Sequence, residues 1–309
     1  MATAARVLQS PVRVTLADLL RLRAAGEAIR LTAPRVRVAA AGGHLSPYKG
    51  RGVEFDESRP YQPGDDLRTI DWRVTARTGK PHTKVFREER NRPVFVWLDV
   101  RRPMLFATRG AYKAVRAAEM AALIAWSAVA NGDRLGGLVF SETEHHELRP
   151  ALGLRSALRL FQKIAADSLW EPKSAEVPAE VDADHALLRL TRVARPGSLI
   201  FLLSDFRRLG ADAESHLRQL AGHCDLMLVH CYDPVEAELP PPGRYRIQSG
   251  TRTFAIETAN ETLRRSYHER HAARVASLKA LARLPGIHLI ECATHADARM
   301  LLAQQFRRR

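Results

Sequence analysis

Two aspartates stand where a sheet-based site would put its chemistry. Asp99 ends the apolar run PVFVWLD (93–99), and Asp205 follows a second run, SLIFLLS (198–204). Continuous apolar runs of this length read as strands buried on both faces, as in a parallel sheet. In such sheets the functional groups gather beyond the carboxyl ends of the strands. Other constellations fail on spacing. Gly79-Lys80 is followed by Pro81 and position 74 is Val74, so no phosphate-binding Gly-rich loop is present. No G-x-S-x-G nucleophile elbow exists. His223-Cys224 and His230-Cys231 resemble paired metal ligands, but the strand between them spans roughly 23 Å. His145-His146 point to opposite faces of a strand. His268 and His271 lie one helical turn apart without a third ligand, and read as surface histidines; the three cysteines read as core residues.

A second group of candidates lies in the charged stretch 50–92. Ten Lys/Arg face eight Asp/Glu there, a near balance that suits Arg–carboxylate forks better than a phosphate-binding surface. Val53 and Phe55 alternate with Glu54 and Asp56, as in a half-buried strand. Pro63-Gly64 is a turn dipeptide, and Asp65 and Asp66 after it are N-caps for a short helix through Ile70 and Trp72. The network comprises Arg51, Glu54, Arg59, Asp65, Asp66, Arg68, Asp71, Arg73, Arg77, Lys84, Glu88 and Glu89. It either staples the segment down or docks a protein partner, with Tyr61 and Trp72 as anchors.

The strings RGVEF, RPYQPGDDLRTIDW and TARTGKPHTKVFREER, followed by VFVWLD, closely resemble the signature of the bacterial domain-of-unknown-function 58 family. The resemblance covers Gly50 to Asp99 with little interruption and continues more weakly past Asp205. It implies a domain similar to von Willebrand factor A domains and a MoxR-type AAA+ ATPase, or its client, as partner. It also implies a site for Mg²⁺, built from a D-x-S-x-S strand end, a Thr from a second loop and a later Asp. Hard oxygen ligands suit that ion. This chain reads Asp99-Val100-Arg101-Arg102-Pro103, so Arg101 and Pro103 replace both serines. The Thr position, near Val181-Asp182, holds no Thr, while Asp205 matches the later acid. We therefore expect no cofactor, with Mg²⁺ disfavoured, and expect Arg101 to fill the ion's place by pairing with Asp99, Asp205 or both. At about 4 Å such a pair gains on the order of 4 kcal/mol at an effective dielectric near 20, before desolvation.

Three parts position these groups: a basic N-terminal helical arm (1–49), the charged segment (50–92) and an α/β domain (93–309). From residue 93 onward strands alternate with helices, which argues for a doubly wound, mostly parallel sheet with the charged segment packed on it. Thr15 and Asp18 form a capping box that opens a helix to about Leu31, and Arg35 to Ala41 reads as a weak strand. The stretch 171–181, with Pro172 and Pro178, reads as a surface loop. At 309 residues, 46% hydrophobic and 27% charged, the chain has the composition of a soluble globular protein. Three cysteines and no long apolar run make a cytoplasmic location the expectation. The net charge of +14 is locally one-sided only before residue 50, where eight Lys/Arg meet two acids. No aromatic residue precedes Tyr48, so nucleic-acid recognition is not expected. The function expected is non-enzymatic: an adaptor or scaffold. The alternatives are a metal-dependent ligand-binding domain, or a binder of nucleic acid or anionic membrane through the arm and the Arg307-Arg308-Arg309 tail.

Overall fold

The computed structural model describes residues 9–31, 53–62, 70–88, 92–166, 170, 183–207, 209–210, 212–249 and 252–307. The chain divides into two compact units, Met1–Val36 with Arg92–Arg309, and Arg37–Asn91.

The larger unit is built on a six-stranded sheet. In chain order its strands are β3 (Pro93–Asp99), β4 (Arg134–Phe140), β5 (His145–Ala151), β6 (Leu199–Ser204), β7 (Asp225–Tyr232) and β10 (Ile287–Ala293). Across the sheet the order is β10-β7-β6-β3-β4-β5, parallel throughout except for antiparallel β5 at one edge. The chain winds outward from β3 in one direction and from β6 in the other, so the order reverses between these two central strands. β3 alternates its side chains between two cores. Val94, Val96 and Leu98 face one, whereas Phe95 and Trp97 face the other. The architecture is thus an α/β doubly wound, mostly parallel sheet, as the alternation of runs indicated.

Helices cover both faces. On the first lie α1 (Leu16–Arg21), α2 (Arg23–Glu27), α4 (Lys113–Ala130), α5 (Leu154–Ile164) and α10 (Ala298–Arg307); on the second lie α6 (Asp184–Val193), α7 (Ala213–Ala221) and α9 (Glu261–Leu281). Helix α4 is sandwiched between the sheet and α1, α2, α5 and α10, and is buried on nearly all sides. Where α2 crosses it, Gly26 is required by close approach. A Cβ there would lie 2.5 Å from Trp126 Cβ and 2.9 Å from the Leu123 carbonyl oxygen. Trp126 Nε1 donates to the Leu19 carbonyl at 2.9 Å, fixing the N-terminal helices to α4. The capping box of Thr15 and Asp18 is present, but the helix it opens ends at Arg21 and restarts as α2. The expected strand over 35–41 and loop over 171–181 lie outside the described residues.

The smaller unit carries β1 (Val53–Pro60) paired antiparallel with β2 (His82–Glu88), and α3 (Trp72–Thr78) between them in sequence. Here the capping expectation needs correction. Asp71, not Asp65 or Asp66, caps the helix: its Oδ1 accepts from the N–H groups of Arg73 and Val74, both at 3.2 Å. Ile70 is not helical; it bridges Thr83 antiparallel, and Asp71 N–H donates to the His82 carbonyl. Pairing with β2 therefore claims Ile70 and Asp71, and α3 starts only when that pairing ends. The α8 helix (Pro234–Ala237) and the hairpin of β8 (Arg244–Ser249) and β9 (Arg252–Glu257) complete the described elements of the larger unit.

Candidate functional site

Asp99 and Asp205 meet at the carboxyl end of the sheet, at the crevice where strand order reverses, the place open α/β sheets use for ligands. Both are buried. Asp99 Oδ1 accepts from the Arg101 N–H and from Arg101 Nε, each at 3.0 Å. Its Oδ2 accepts from Arg101 Nη2 at 2.7 Å and from the Ser204 hydroxyl at 2.6 Å. Two oxygens with four donors leave the carboxylate saturated. The Arg101 side chain is only 4% exposed and lies over the Phe140 ring. Burial works against its charge, but the hydrogen bond to and charge of Asp99 prevail and raise its pKa. Its Nη2 also donates to the Arg207 carbonyl at 3.1 Å, which ties the loop after β3 to the loop after β6.

The loop after β6 is backbone-strained. Phe206 is buried with φ at +52°, a conformation rarely held without surrounding constraint. Its N–H donates to Ser204 Oγ at 2.9 Å, while the next N–H, of Arg207, donates to Asp205 Oδ1 at 3.0 Å. The strain thereby turns two successive amides back onto the strand end.

Asp205 is held by a residue that sequence reasoning missed. Lys113, the first residue of α4, is fully buried, and its Nζ lies 2.8 Å from Asp205 Oδ2 and 2.6 Å from Glu236 Oε1. Arg207 Nη2 reaches Glu236 at 3.0 Å and its Nε lies 3.6 Å from Asp205. Burial favours the protonated acid at Asp205, but Lys113 beside it overrides this and lowers the pKa. One signal was available: Lys113 opens the helix, where the macrodipole disfavours a cation. Glu236 belongs to the capping box of α8, whose Asp233 accepts from Thr108 N–H (2.7 Å), the Thr294 hydroxyl (2.8 Å) and Val235 N–H. Loops after four strands are thus cross-linked at one end of the sheet.

These residues do not fit a divalent ion. A hard cation needs oxygen lone pairs directed at it, and both carboxylates already face covalently attached cations. Pro103 lies in a short 3₁₀ turn, Arg102–Met104, and offers no side-chain donor. Among the described residues no group of three or more His, Cys, Asp or Glu side chains is arranged to hold a metal.

Beside this cluster, His230 and Tyr232 at the end of β7 line a cavity of about 370 Å³ with Ala237, His271, Val275 and Glu291. His230 is 1% exposed, and burial, then the neighbouring His271, push its pKa down to about 3. His271 is therefore not the surface residue its helical spacing suggested: it is half-buried, with ring centroids 6.1 Å from His230. His268 is exposed, and Cys224, Cys231 and Cys292 are buried, with the last two in register on β7 and β10.

The charged-segment candidates are placed as follows. Arg51, Asp65, Asp66, Arg68 and Glu89 lie outside the described residues. Glu54 lies on β1, and Lys84 and Glu88 on β2, with Ser58 opposite Lys84 and Val53 opposite Glu88. Arg59 Nη1 donates to the Pro60 carbonyl, and Tyr61 N–H to that of Pro81. Asp71 is buried and accepts a further bond from the Ser58 hydroxyl at 3.0 Å. Arg73 and Arg77 are exposed on α3, and Trp72 is 71% exposed.

Comparison with known proteins adds lineage. The chain is 30% identical over 263 residues to the uncharacterized proteins Rv1480 of Mycobacterium tuberculosis (strain H37Rv) and Mb1516 of Mycobacterium bovis, covering 83% of this chain and 79% of each relative. Among solved structures it is similar to the crystal structure of conserved hypothetical protein BatB from Bacteroides thetaiotaomicron, at 16% identity and a TM-score of 0.41, covering 69% of this chain and 96% of that one. Residues 57–277 match the family described as protein of unknown function DUF58, and the chain belongs to that family.

Proposed function

We propose that this DUF58 protein is a non-enzymatic binding module, an adaptor or scaffold that works with a MoxR-type AAA+ ATPase or the ATPase's client. The domain is read as von Willebrand factor A-like, with its ion site converted to a fixed, internally neutralised cluster. One observation carries this reading: every acceptor site of Asp99 is taken by Arg101 and Ser204. A carboxylate so engaged is unavailable as a base, nucleophile or ligand, and suits a frame that holds loops for contact. The described part of the N-terminal arm supports contact with its own unit rather than with an anionic surface. Arg21 pairs with Asp18 and Arg23 with Glu27, while α2 packs on α4. The test is retention of the purified MoxR-type ATPase from the same genome on the immobilised full chain, with and without ATP. Nucleotide-dependent retention is expected. Absence of retention in both states, with nucleic acid enriched instead, would overturn the reading, as would tight stoichiometric Mn²⁺ binding.

A further inference from the structure

Helix α9 is fastened at its two ends and leaves a gap against the sheet between them. Near its start Arg264 Nη2 donates to the Leu239 carbonyl at 3.2 Å, and His268 Nδ1 lies 3.2 Å from that of Ala237. At its finish Leu278 and Leu281 are the only buried side chains among its 21 described residues. Between these anchors Ala272, Val275 and Ala276 fall on one face, three and four residues apart. Their short side chains do not fill the space down to β7 and β10, and the cavity of about 370 Å³ is what remains.

The inner end of this cavity is polar and unsatisfied. His230 Nε2 and His271 Nδ1 are buried without a hydrogen-bond partner, and both rings line the cavity with centroids 6.1 Å apart. A buried imidazole nitrogen costs free energy until something donates to it or accepts from it. Tyr232 stacks on His230, with centroids 5.5 Å and planes 19° apart, so the wall facing α9 is flat and aromatic. At the mouth Lys279 and Glu291 are both exposed, lie 3.6 Å apart and offset each other's charge.

These features select a class of ligand. The space exceeds the roughly 150 Å³ that admits a benzene ring and falls at the lower end of small-molecule sites, so one substituted ring fits. Small aliphatic walls and stacked rings favour an aromatic body. A charged ligand finds no spare counter-ion among the lining residues, since both imidazoles are held neutral, chiefly by burial. Each neutral imidazole nitrogen donates in one tautomer and accepts in the other, and a hydroxyl answers both.

We propose that this cavity binds a small uncharged phenolic molecule, its ring between α9 and β7 and its hydroxyl toward His230 and His271. The site does not depend on the adaptor reading. The probe is phenol, titrated into the full-length protein with the imidazole nitrogen resonances followed by NMR, and with toluene and benzoate as controls. Saturable shifts are expected at His230 and His271 and none at His223, an exposed histidine before β7. His230→Phe keeps a ring and removes the nitrogen, and should weaken phenol by about fivefold or more relative to toluene. Ala276→Phe, at an exposed position on α9, should fill the cavity and weaken both by about tenfold or more. A urea unfolding curve of each variant checks that it is folded. Phenol shifts that do not saturate, or that appear equally at His223, would overturn the proposal, as would benzoate binding more tightly than phenol. Equal losses of phenol and toluene in His230→Phe would remove the hydrogen-bonding role and with it the phenolic class. Undiminished binding in Ala276→Phe would put the ligand elsewhere.

Discussion

Replacing Lys113 by Met is the sharpest test of the cluster. The side chains differ little in length, so the substitution removes the ammonium while keeping most of the packing. What it leaves is two carboxylates, Asp205 and Glu236, that lose contacts of 2.8 and 2.6 Å in a region at most 4% exposed. Removing one partner of a buried ion pair costs about 3–5 kcal/mol, because the remaining charge is uncompensated. Arg207 contacts both acids and offsets part of this, which places the expectation at the lower end. With an m-value near about 3 kcal/mol/M in urea, the midpoint falls by about 1 M. Circular dichroism in urea measures it. The double variant Lys113→Met/Glu236→Gln should recover part of the loss, since only one buried charge then lacks its partner. A loss below about 1 kcal/mol in the single variant, or no coupling between the two positions, would refute the assignment of Lys113 as the internal counter-ion.

Acid sensitivity should trace in part to His230. Its folded pKa of about 3 lies below the usual 6.5, so below pH 6.5 the unfolded chain binds a proton that the folded chain refuses. Its stabilising contribution is complete above pH 6.5 and declines toward pH 3, by about 1.4 kcal/mol per pH unit; His230→Leu should flatten that slope in urea titrations run across this range. Gly26→Ala should destabilise the larger unit by about 1–3 kcal/mol through contact with Trp126 and Leu123, despite the better helix propensity of Ala. A thermal shift of zero or upward would show that α2 can move off α4. Asp71→Ala should cost about 1 kcal/mol and speed amide exchange at Arg73 and Val74, the two N–H groups it caps; unchanged exchange there would remove Asp71 as the cap.

The sheet was legible because each of its central strands is an apolar run with a carboxylate at or just past its end, and because helices with 3.6-residue periodicity separate them. Arg101 was expected to pair with Asp99, Asp205 or both, because the resemblance put it in an ion's place, and it pairs with Asp99. Lys113 and Glu236 could not be paired from sequence. Their partners lie 92 and 123 residues away, and nothing local marks which buried acid a buried lysine will meet. The misplaced cap has a different cause. Asp71 also satisfies the local rule for an N-cap, and it caps α3 because Ile70 before it is paired with Thr83 and not helical; Asp65 and Asp66 lie outside the described residues. His271 was misread because helical spacing gives a face but not what covers it.

An ion site and a cluster of fixed cations differ in what can empty them. A bound metal leaves when its concentration falls, whereas Arg101 and Lys113 are part of the chain and cannot dissociate. The loops after β3, β6 and β7 are therefore held in one arrangement by contacts that persist in any ionic medium: Arg101 to the Arg207 carbonyl, Ser204 to Asp99, Lys113 to both Asp205 and Glu236. Burying these charges is not a route to stability, since well-packed apolar residues of the same volume do as well or better. Their retention is better explained by the position they fix. What they fix is a crevice at the switch point of the sheet, with three resident positive charges built into it.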